Sequence, residues 1–393
     1  MQRSEKRLKI LGVSEVFPSK RRPTIGTFVS GQCKSIAKYC DVLFVSPRFF
    51  SVFFLSWNWL SLYRGLKPRD VINGIKVYYP LVPAIPRYYN ILLQTISMAL
   101  SLPFHIARLR KWFNFDIIHA HGIVPSGFAC VVTGLLLKKP VVVTAIGADI
   151  NDFSRLSYLK PLITFTLRKA CIITAVSNSL RGKAISLGAE VDNVKFIPRS
   201  VDDIFLNSQY IRRKNIKTIL FVGQLIERKG VEDLIRAFNM LIGRNIDAEL
   251  IIVGEGVLYK ELLCFVNSNC SGRVTFLGTQ PHSDIPRIMS EADILCLPSY
   301  REGWPNVCME ALACGLPIVG TDIGGINEIV SSSDYGVLVP PGDYTALAKA
   351  LKYALTKDWD REKIREYASN YTFDKIGQMY MDVYAKAKEC FYR

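Results

Sequence analysis

Thr218-Ile219-Leu220-Phe221-Val222-Gly223-Gln224-Leu225-Ile226-Glu227-Arg228-Lys229-Gly230 is the stretch on which the fold turns. Its first five residues are apolar or β-branched with no alternation, which marks a strand covered on both faces. The run stops at Gly223, and a loop carrying Arg228 and Lys229 leads into a helical pattern. A buried strand, a glycine-opened loop and a helix make up the repeating piece of a parallel α/β sheet.

Working outward, the same piece recurs. Towards the C-terminus the strand-like runs are Glu249–Val253, Val274–Leu277, Ile294–Leu297, Ile318–Gly320 and Val337–Val339. Towards the N-terminus they are Leu8–Val13, Asp41–Val45, Ile75–Tyr79, Asp116–His119, Val141–Thr144, Ile172–Val176 and Lys195–Ile197. Two such series predict an α/β protein of two Rossmann-like, doubly wound domains facing each other across a cleft. With 393 residues, 49% of them hydrophobic, the chain is long enough to bury both cores. The apolar pattern lapses over Asp202–Asn215, where Arg212, Arg213 and Lys214 cluster. That sets the domains at 1–205 and 206–372, with a final helix, 373–393, able to pack back on the first. In open α/β sheets ligands bind beyond the carboxyl ends of the strands, so the loops after the strands are where chemistry is sought.

Charge is distributed unevenly between the halves. Residues 1–200 carry 28 Lys+Arg against 9 Asp+Glu, a balance of +19, while residues 201–393 carry 22 against 25, a balance of −3. A basic first half beside a near-neutral second half implies an anionic partner for the first: a phosphorylated acceptor or an anionic membrane surface. Nucleic acid ranks last, because no zinc finger, RNA-binding aromatic motif or heptad basic region is present. The ten cysteines form no C-x-x-C pair, and Cys171, Cys296 and Cys314 sit in apolar runs. They read as reduced, buried thiols of a cytosolic protein.

Two segments have an amphipathic or aromatic character. Twenty residues between Arg87 and Arg108 lack any Lys, Arg, Asp or Glu, yet include Asn90, Gln94, Thr95, Ser97, Ser101, Pro103 and His105. That is too polar for a spanning helix and suits a soluble helix with one buried stripe. The sharper alternative is a membrane-surface helix flanked by Arg87, Arg108, Arg110 and Lys111. Phe49–Leu62 holds Phe49, Phe50, Phe53, Phe54, Trp57 and Trp59, a density expected of an interfacial loop.

Arg301-Glu302-Gly303-Trp304-Pro305-Asn306-Val307-Cys308-Met309-Glu310-Ala311-Leu312-Ala313-Cys314-Gly315 follows the strand Ile294–Leu297. Pro305 suits the first helical turn and Gly315 the helix end. Glu302 then lies in the loop before the helix and Glu310 on it, facing back toward the same end. Two carboxylates placed so can accept hydrogen bonds from several hydroxyls, such as those of a sugar and a ribose. Taken singly, Glu302 is a helix-start charge and Glu310 a solvated face residue. Further on, Gly324-Gly325 precede a short helix whose bare N–H groups can cradle a phosphate. Arg228 and Lys229 can stabilise the charge that develops on a leaving diphosphate.

With Glu, seven residues, Glu inside this segment, the sequence resembles the family 4 retaining glycosyltransferases of the GT-B fold. Gly320-Thr321-Asp322-Ile323-Gly324-Gly325-Ile326-Asn327-Glu328-Ile329-Val330 and the stretch from Phe221 to Gly230 match the same family. The resemblance covers most of the chain and is densest from about 217 to 345. Among members, bacterial enzymes of capsule, teichuronic-acid and exopolysaccharide assembly are the most alike.

The resemblance implies a nucleotide-sugar co-substrate, a UDP- or GDP-sugar, with no resident cofactor and no metal. Glu302 meets the donor sugar and Glu310 the ribose, with Gly223, Asn306, Val307, Gly324 and Gly325 around them. The base lies near Gly278. Lys229 and Arg228 act on the diphosphate, and His121 in Ile117-Ile118-His119-Ala120-His121-Gly122 lies beside the donor sugar, whereas His119 suits the core. His105 and His282 are read as structural. Gly26 and Thr27 belong to a glycine-containing loop near phosphate and acceptor, and Asp149 either meets the acceptor or holds its loop.

The sequence also departs from the family pattern. Ile146 stands where His or Arg is frequent, Arg199-Ser200 within Pro198–Asp202 where Asn-Gly is frequent, and Gln224 where Arg or Asn is frequent. The implied activity is retaining transfer of a sugar to a lipid-linked or glycan acceptor in cell-surface polysaccharide synthesis, at the inner face of the cell membrane. The competing reading is a non-catalytic sugar-nucleotide-binding subunit of a membrane-associated assembly complex. An epimerase or phosphorylase on this fold would need its own acid/base carboxylates or a lysine-bound cofactor, and neither signature occurs.

Overall fold

A computed structural model describes residues 7–20, 25–51, 68–84, 91–208, 210–211, 216–243, 246–269 and 272–392. The chain divides into two compact units, Met1–Ser200 with Phe373–Arg393, and Val201–Thr372.

In the first unit the strands are β1 (Lys9–Val13), β2 (Asp41–Val45), β3 (Arg48–Ser51), β4 (Arg69–Ile72), β5 (Ile75–Tyr78), β6 (Leu81–Ala84), β7 (Ile117–His121), β8 (Val141–Ala145), β9 (Ile172–Ala175) and β10 (Val194–Phe196). Eight of them form one sheet in the order β10-β9-β8-β7-β1-β2-β5-β4. β7, β8 and β9 are buried at every position, which is why they read as unbroken apolar runs. The helix Phe373–Tyr392 belongs to this unit. It lies against the helix Thr27–Ala37 so closely that a Cβ on Gly377 would sit 2.5 Å from the Ser35 carbonyl oxygen.

The second unit holds β11 (Lys217–Val222), β12 (Ala248–Val253), β13 (Val274–Gly278), β14 (Ile294–Leu297), β15 (Ile318–Thr321) and β16 (Gly336–Val339). They form an all-parallel sheet in the order β13-β12-β11-β14-β15-β16. Strand order reverses between β1 and β7 in the first sheet and between β11 and β14 in the second. At such switch points neighbouring crossovers leave to opposite faces and open a crevice for a ligand.

Three expectations are corrected. The first sheet is not wholly parallel: β4 runs antiparallel to β5 through the turn Asn73-Gly74, both residues at positive φ. Phe49 and Phe50 do not lie in a loop but in β3, paired in parallel with β6. The remainder of that aromatic segment, with Trp57 and Trp59, lies outside the described residues, as do Arg87, Arg212, Arg213 and Lys214. The first boundary falls before Val201 and not after Phe205. Val201 bridges to Thr372 and donates its N–H to the Tyr371 carbonyl, while Phe205 is fully buried and meets the His282 ring.

Candidate active site

In the second unit the loops after β11 and β14 meet. Lys229 Nζ lies 2.6 Å from Glu302 Oε1, with their side chains only 14% and 9% exposed. Ser299 Oγ donates to the same oxygen at 2.8 Å. The pair is therefore held as a partly desolvated, charge-assisted contact, stronger than an exposed ion pair. Its backbone is fixed just as firmly. The Tyr300 N–H donates to the Arg228 carbonyl at 2.8 Å, and the Tyr300 hydroxyl to Asp233 at 2.6 Å. Arg228 thus enters the site as a backbone anchor for the Glu302 loop, with its side chain half-buried.

Pro305 caps the helix Asn306–Ala313 from outside it, and Asn306 and Val307 open its first turn, both half-buried. Glu310, one turn further, has His282 Nε2 3.5 Å from its Oε1. The Cys308 thiol, pushed well up by burial and then by the charge of Glu302, feels Lys229 and Glu310 too, so these three groups share one neighbourhood. His282, expected to be structural, thereby lies beside Glu310. Nothing in its own neighbourhood in the sequence marks it, because the contact spans two crossovers.

Gly324 and Gly325 open the short helix Gly324–Ile329 after β15. Their first physical constraint is packing. A Cβ on Gly325 would lie 2.2 Å from the Gly303 carbonyl oxygen, and one on Gly324 2.5 Å from that of Glu302. The glycines let the two loops touch backbone to backbone, which keeps that helix start beside Glu302. Gly223 ends β11, its N–H donating to Val253 O at 2.9 Å. Gly278 ends β13 and accepts from Gly254 N at 2.9 Å. It lies two strands away from β11, beside Glu255.

The first unit assembles a different set. His119 and His121 are fully buried on β7, their rings stacked at 4.4 Å. His119 is satisfied at both nitrogens, by the Tyr384 hydroxyl at 2.7 Å and Thr144 Oγ1 at 2.8 Å. Gln32 directs its amide N–H to the Tyr380 hydroxyl and to Thr144 Oγ1, so its Oε1 accepts from His121 Nδ1–H at 3.0 Å. That places the proton on Nδ1 and leaves Nε2 as a buried acceptor without a partner. Burial, then the charge of Arg199, lowers the His121 pKa to about 3, so the ring is neutral.

Asp149 is expected either to meet an acceptor or to hold its loop, and the structure gives it the second role. Its carboxylate accepts from the N–H groups of Ile123 at 2.8 Å, Gly147 at 2.7 Å and Ile146 at 3.1 Å, tying the loops after β7 and β8 together. Gly26 is left-handed, and a Cβ there would lie 2.8 Å from the backbone of Val16 and Phe17, so it joins the loop after β1 to the following helix. Thr27, the first residue of that helix, is exposed.

Arg199 lies over the Phe28 ring at 4.4 Å and donates to the Ile146 carbonyl at 3.2 Å. A cation thus touches the very position where the sequence shows an apolar departure. Glu15, after β1, accepts from the Ser126 hydroxyl, and burial pushes its carboxyl up.

Two family models match successive parts of the chain: glycosyltransferase family 4 over residues 51–204, and glycosyl transferases group 1 over residues 204–371. The chain belongs to glycosyltransferase family 4. Among relatives of this family-4 enzyme, the putative teichuronic acid biosynthesis glycosyltransferase TuaC of Bacillus subtilis is 27% identical, over 90% of this chain and 91% of TuaC. The N-acetyl-alpha-D-glucosaminyl L-malate synthase of Bacillus anthracis is also 27% identical, over 72% of this chain and 78% of its own. Anabaena HepE, solved in complex with UDP, has the same fold: TM-score 0.71 at 19% identity, covering 97% of this chain and 100% of HepE. The fold is thus GT-B, with two Rossmann-like domains, and the chain is a glycosyltransferase.

Proposed function

We propose that this glycosyltransferase is a retaining, metal-independent enzyme. It moves a sugar from a UDP- or GDP-sugar to a lipid-linked or glycan acceptor in cell-surface polysaccharide synthesis, working at the cytoplasmic face of the membrane. The observation that carries the reading is the Lys229–Glu302–Ser299 contact beside Gly324-Gly325. The Lys229 ammonium supplies positive charge where a diphosphate departs, the work a divalent metal does in other enzymes. Glu302 is already engaged by two donors, which suits it to holding sugar hydroxyls and not to attacking the anomeric carbon. The acceptor hydroxyl then attacks from the face the diphosphate leaves, and a phosphate oxygen takes its proton. The chain contributes positioning and charge. On the first unit, His121 Nε2 is a neutral acceptor suited to a sugar hydroxyl. The names of the relatives, TuaC among them, support the polysaccharide context.

The test is a thermal-shift panel of UDP-, GDP- and ADP-sugars followed by turnover. Ligand at a hundred times its dissociation constant stabilises the fold by about 2.7 kcal/mol, enough to rank the bases. Expected are a shift with a UDP- or GDP-sugar, chelator-insensitive release of nucleotide, and a product anomer matching the donor. Glu302→Ala should keep the shift with the free nucleotide and lose turnover. A wild-type protein that binds a donor and never turns it over with any acceptor fraction would instead be the non-catalytic subunit.

A further inference from the structure

Ile91–Arg110 is the helix, among the described residues, with the length and apolar content to cross a membrane. It does not have the surroundings of a spanning helix. Thr95, Met98, Leu102, Ile106 and Leu109 on one face are buried in the first unit, where the helix packs on the helix Phe128–Leu137 and on β6. Ser97 and His105 on that side donate to the carbonyls of Pro83 and Leu81. The opposite face is bare: Ile96, Leu100 and Phe104, spaced four apart on one stripe, are 42%, 77% and 70% exposed. The neighbouring helix Phe128–Leu137 ends in two further exposed leucines, Leu135 and Leu136.

What covers this face follows from the charges at its end. The stripe continues into Arg108, and Arg110 and Lys111 follow it, all exposed. Lys138 and Lys139 close the neighbouring helix. The Lys139 ammonium is pushed down by burial and then by Arg110, with Asp116 opposing and Lys388 adding to the shift, so cations from three segments lie near one acid there. Trp112, exposed just past the helix end, has the Arg69 guanidinium stacked 3.6 Å from its ring. An apolar stripe running into a basic and aromatic end matches the acyl and headgroup layers of an anionic bilayer. A protein partner would need acidic side chains set against a strip of Leu and Phe, and the balance of +19 over residues 1–200 favours the extended anionic surface.

We propose that the Ile96–Leu100–Phe104 face of this helix lies in the surface of an anionic lipid bilayer, with Arg108, Arg110 and Lys111 on the headgroups. The assignment rests on reading the acceptor as membrane-borne. It brings the first unit to the surface where that acceptor would be found. The helix lies in the plane and does not span, because spanning would unpack its buried face.

Flotation of the full chain with vesicles tests this without turnover, so its failure is separable from failure of the transferase reading. The wild type should float with vesicles of phosphatidylcholine mixed with phosphatidylglycerol at low salt and be released by high salt. Leu100→Glu with Phe104→Glu should abolish flotation and leave the melting temperature unchanged, since both side chains are exposed. Arg108→Gln and Lys111→Gln should each weaken binding about fivefold, the equivalent of ~1 kcal/mol per basic residue near an anionic surface. Wild type that fails to float, equal binding to pure phosphatidylcholine, or flotation that survives the Leu100/Phe104 change would each overturn the proposal. So would a dimer in solution that the same double change converts to monomer, because the face would then be an interface between two copies.

Discussion

The carboxyl end of the second sheet holds a pair of opposite charges, whereas the histidine cluster on β7 of the first sheet is neutral. Lys229 and Glu302 are held in a short ion contact between the loops after β11 and β14, and Glu310 lies on the helix after β14, 3.5 Å from His282. Around His119 and His121 the groups are imidazoles, hydroxyls and an amide, all buried, linked from β7 and β8 to the C-terminal helix through Tyr380 and Tyr384. The difference follows from what each end can desolvate. A half-buried loop keeps charges that pair with one another, while a fully buried strand centre favours neutral forms. It teaches that depth of burial decides whether a strand end carries paired charges or neutral hydrogen-bonding groups.

Four experiments sharpen or break that contrast. The largest effect is expected for Glu302→Ala and Lys229→Ala, each lowering transfer by roughly a hundredfold or more, about 3 kcal/mol of barrier. Since the two act as a pair, the double variant should be little worse than either single one. Multiplicative losses in steady-state kinetics would dissolve the pair.

Tyr384→Phe should act on stability. It strips the partner from buried His119 Nδ1 and should destabilise the chain by about 1–3 kcal/mol in urea unfolding. A neutral result would mean that the network under β7 is not a constraint on the fold.

The third concerns pH. His121 takes a proton below about 6.5 in the unfolded chain and only near 3 when folded. The unfolded state therefore binds more protons in this window, and stability falls as pH drops from 6.5 toward 3, by up to about 1.4 kcal/mol per pH unit. Glu15 and Asp149, raised by burial, act with the opposite sign but are common to wild type and His121→Gln. Unfolding midpoints of the two proteins should therefore diverge below pH 6.5, and parallel curves would show that this ring is protonated in the fold.

The smallest effect is expected for His282→Ala. Its contact with Glu310 is half-exposed, so stability should change by less than about 1 kcal/mol. If Glu310 holds the ribose, the donor KM should rise while kcat stays near wild type.

How far these features are legible in the sequence differs between the same two ends. Apolar runs mark all six strands of the second sheet, even β13, whose positions are half-buried or exposed. Glu302, Glu310, Gly324 and Gly325 sit in short motifs, so a local reading finds them. Arg48–Ser51, Arg69–Ile72 and Leu81–Ala84 escape it, being short and either opened by polar residues or broken by Pro83. His282 escapes too, since its meaning comes from Glu310.

Composition, periodicity and motif spacing by themselves determined two doubly wound domains, the basic bias of the first half and the acidic and basic residues after β11 and β14. Those properties depend on neighbours along the chain and on alternating strand and helix. Only the tertiary structure decided that Asp149 ties loops, that Arg199 lies against Ile146, and that Gln32, Thr144, Tyr380 and Tyr384 surround the histidines. It alone showed which face of Ile91–Arg110 is left bare. Such contacts join residues far apart in sequence, and whether a buried polar atom is satisfied is settled by packing, which no local pattern encodes.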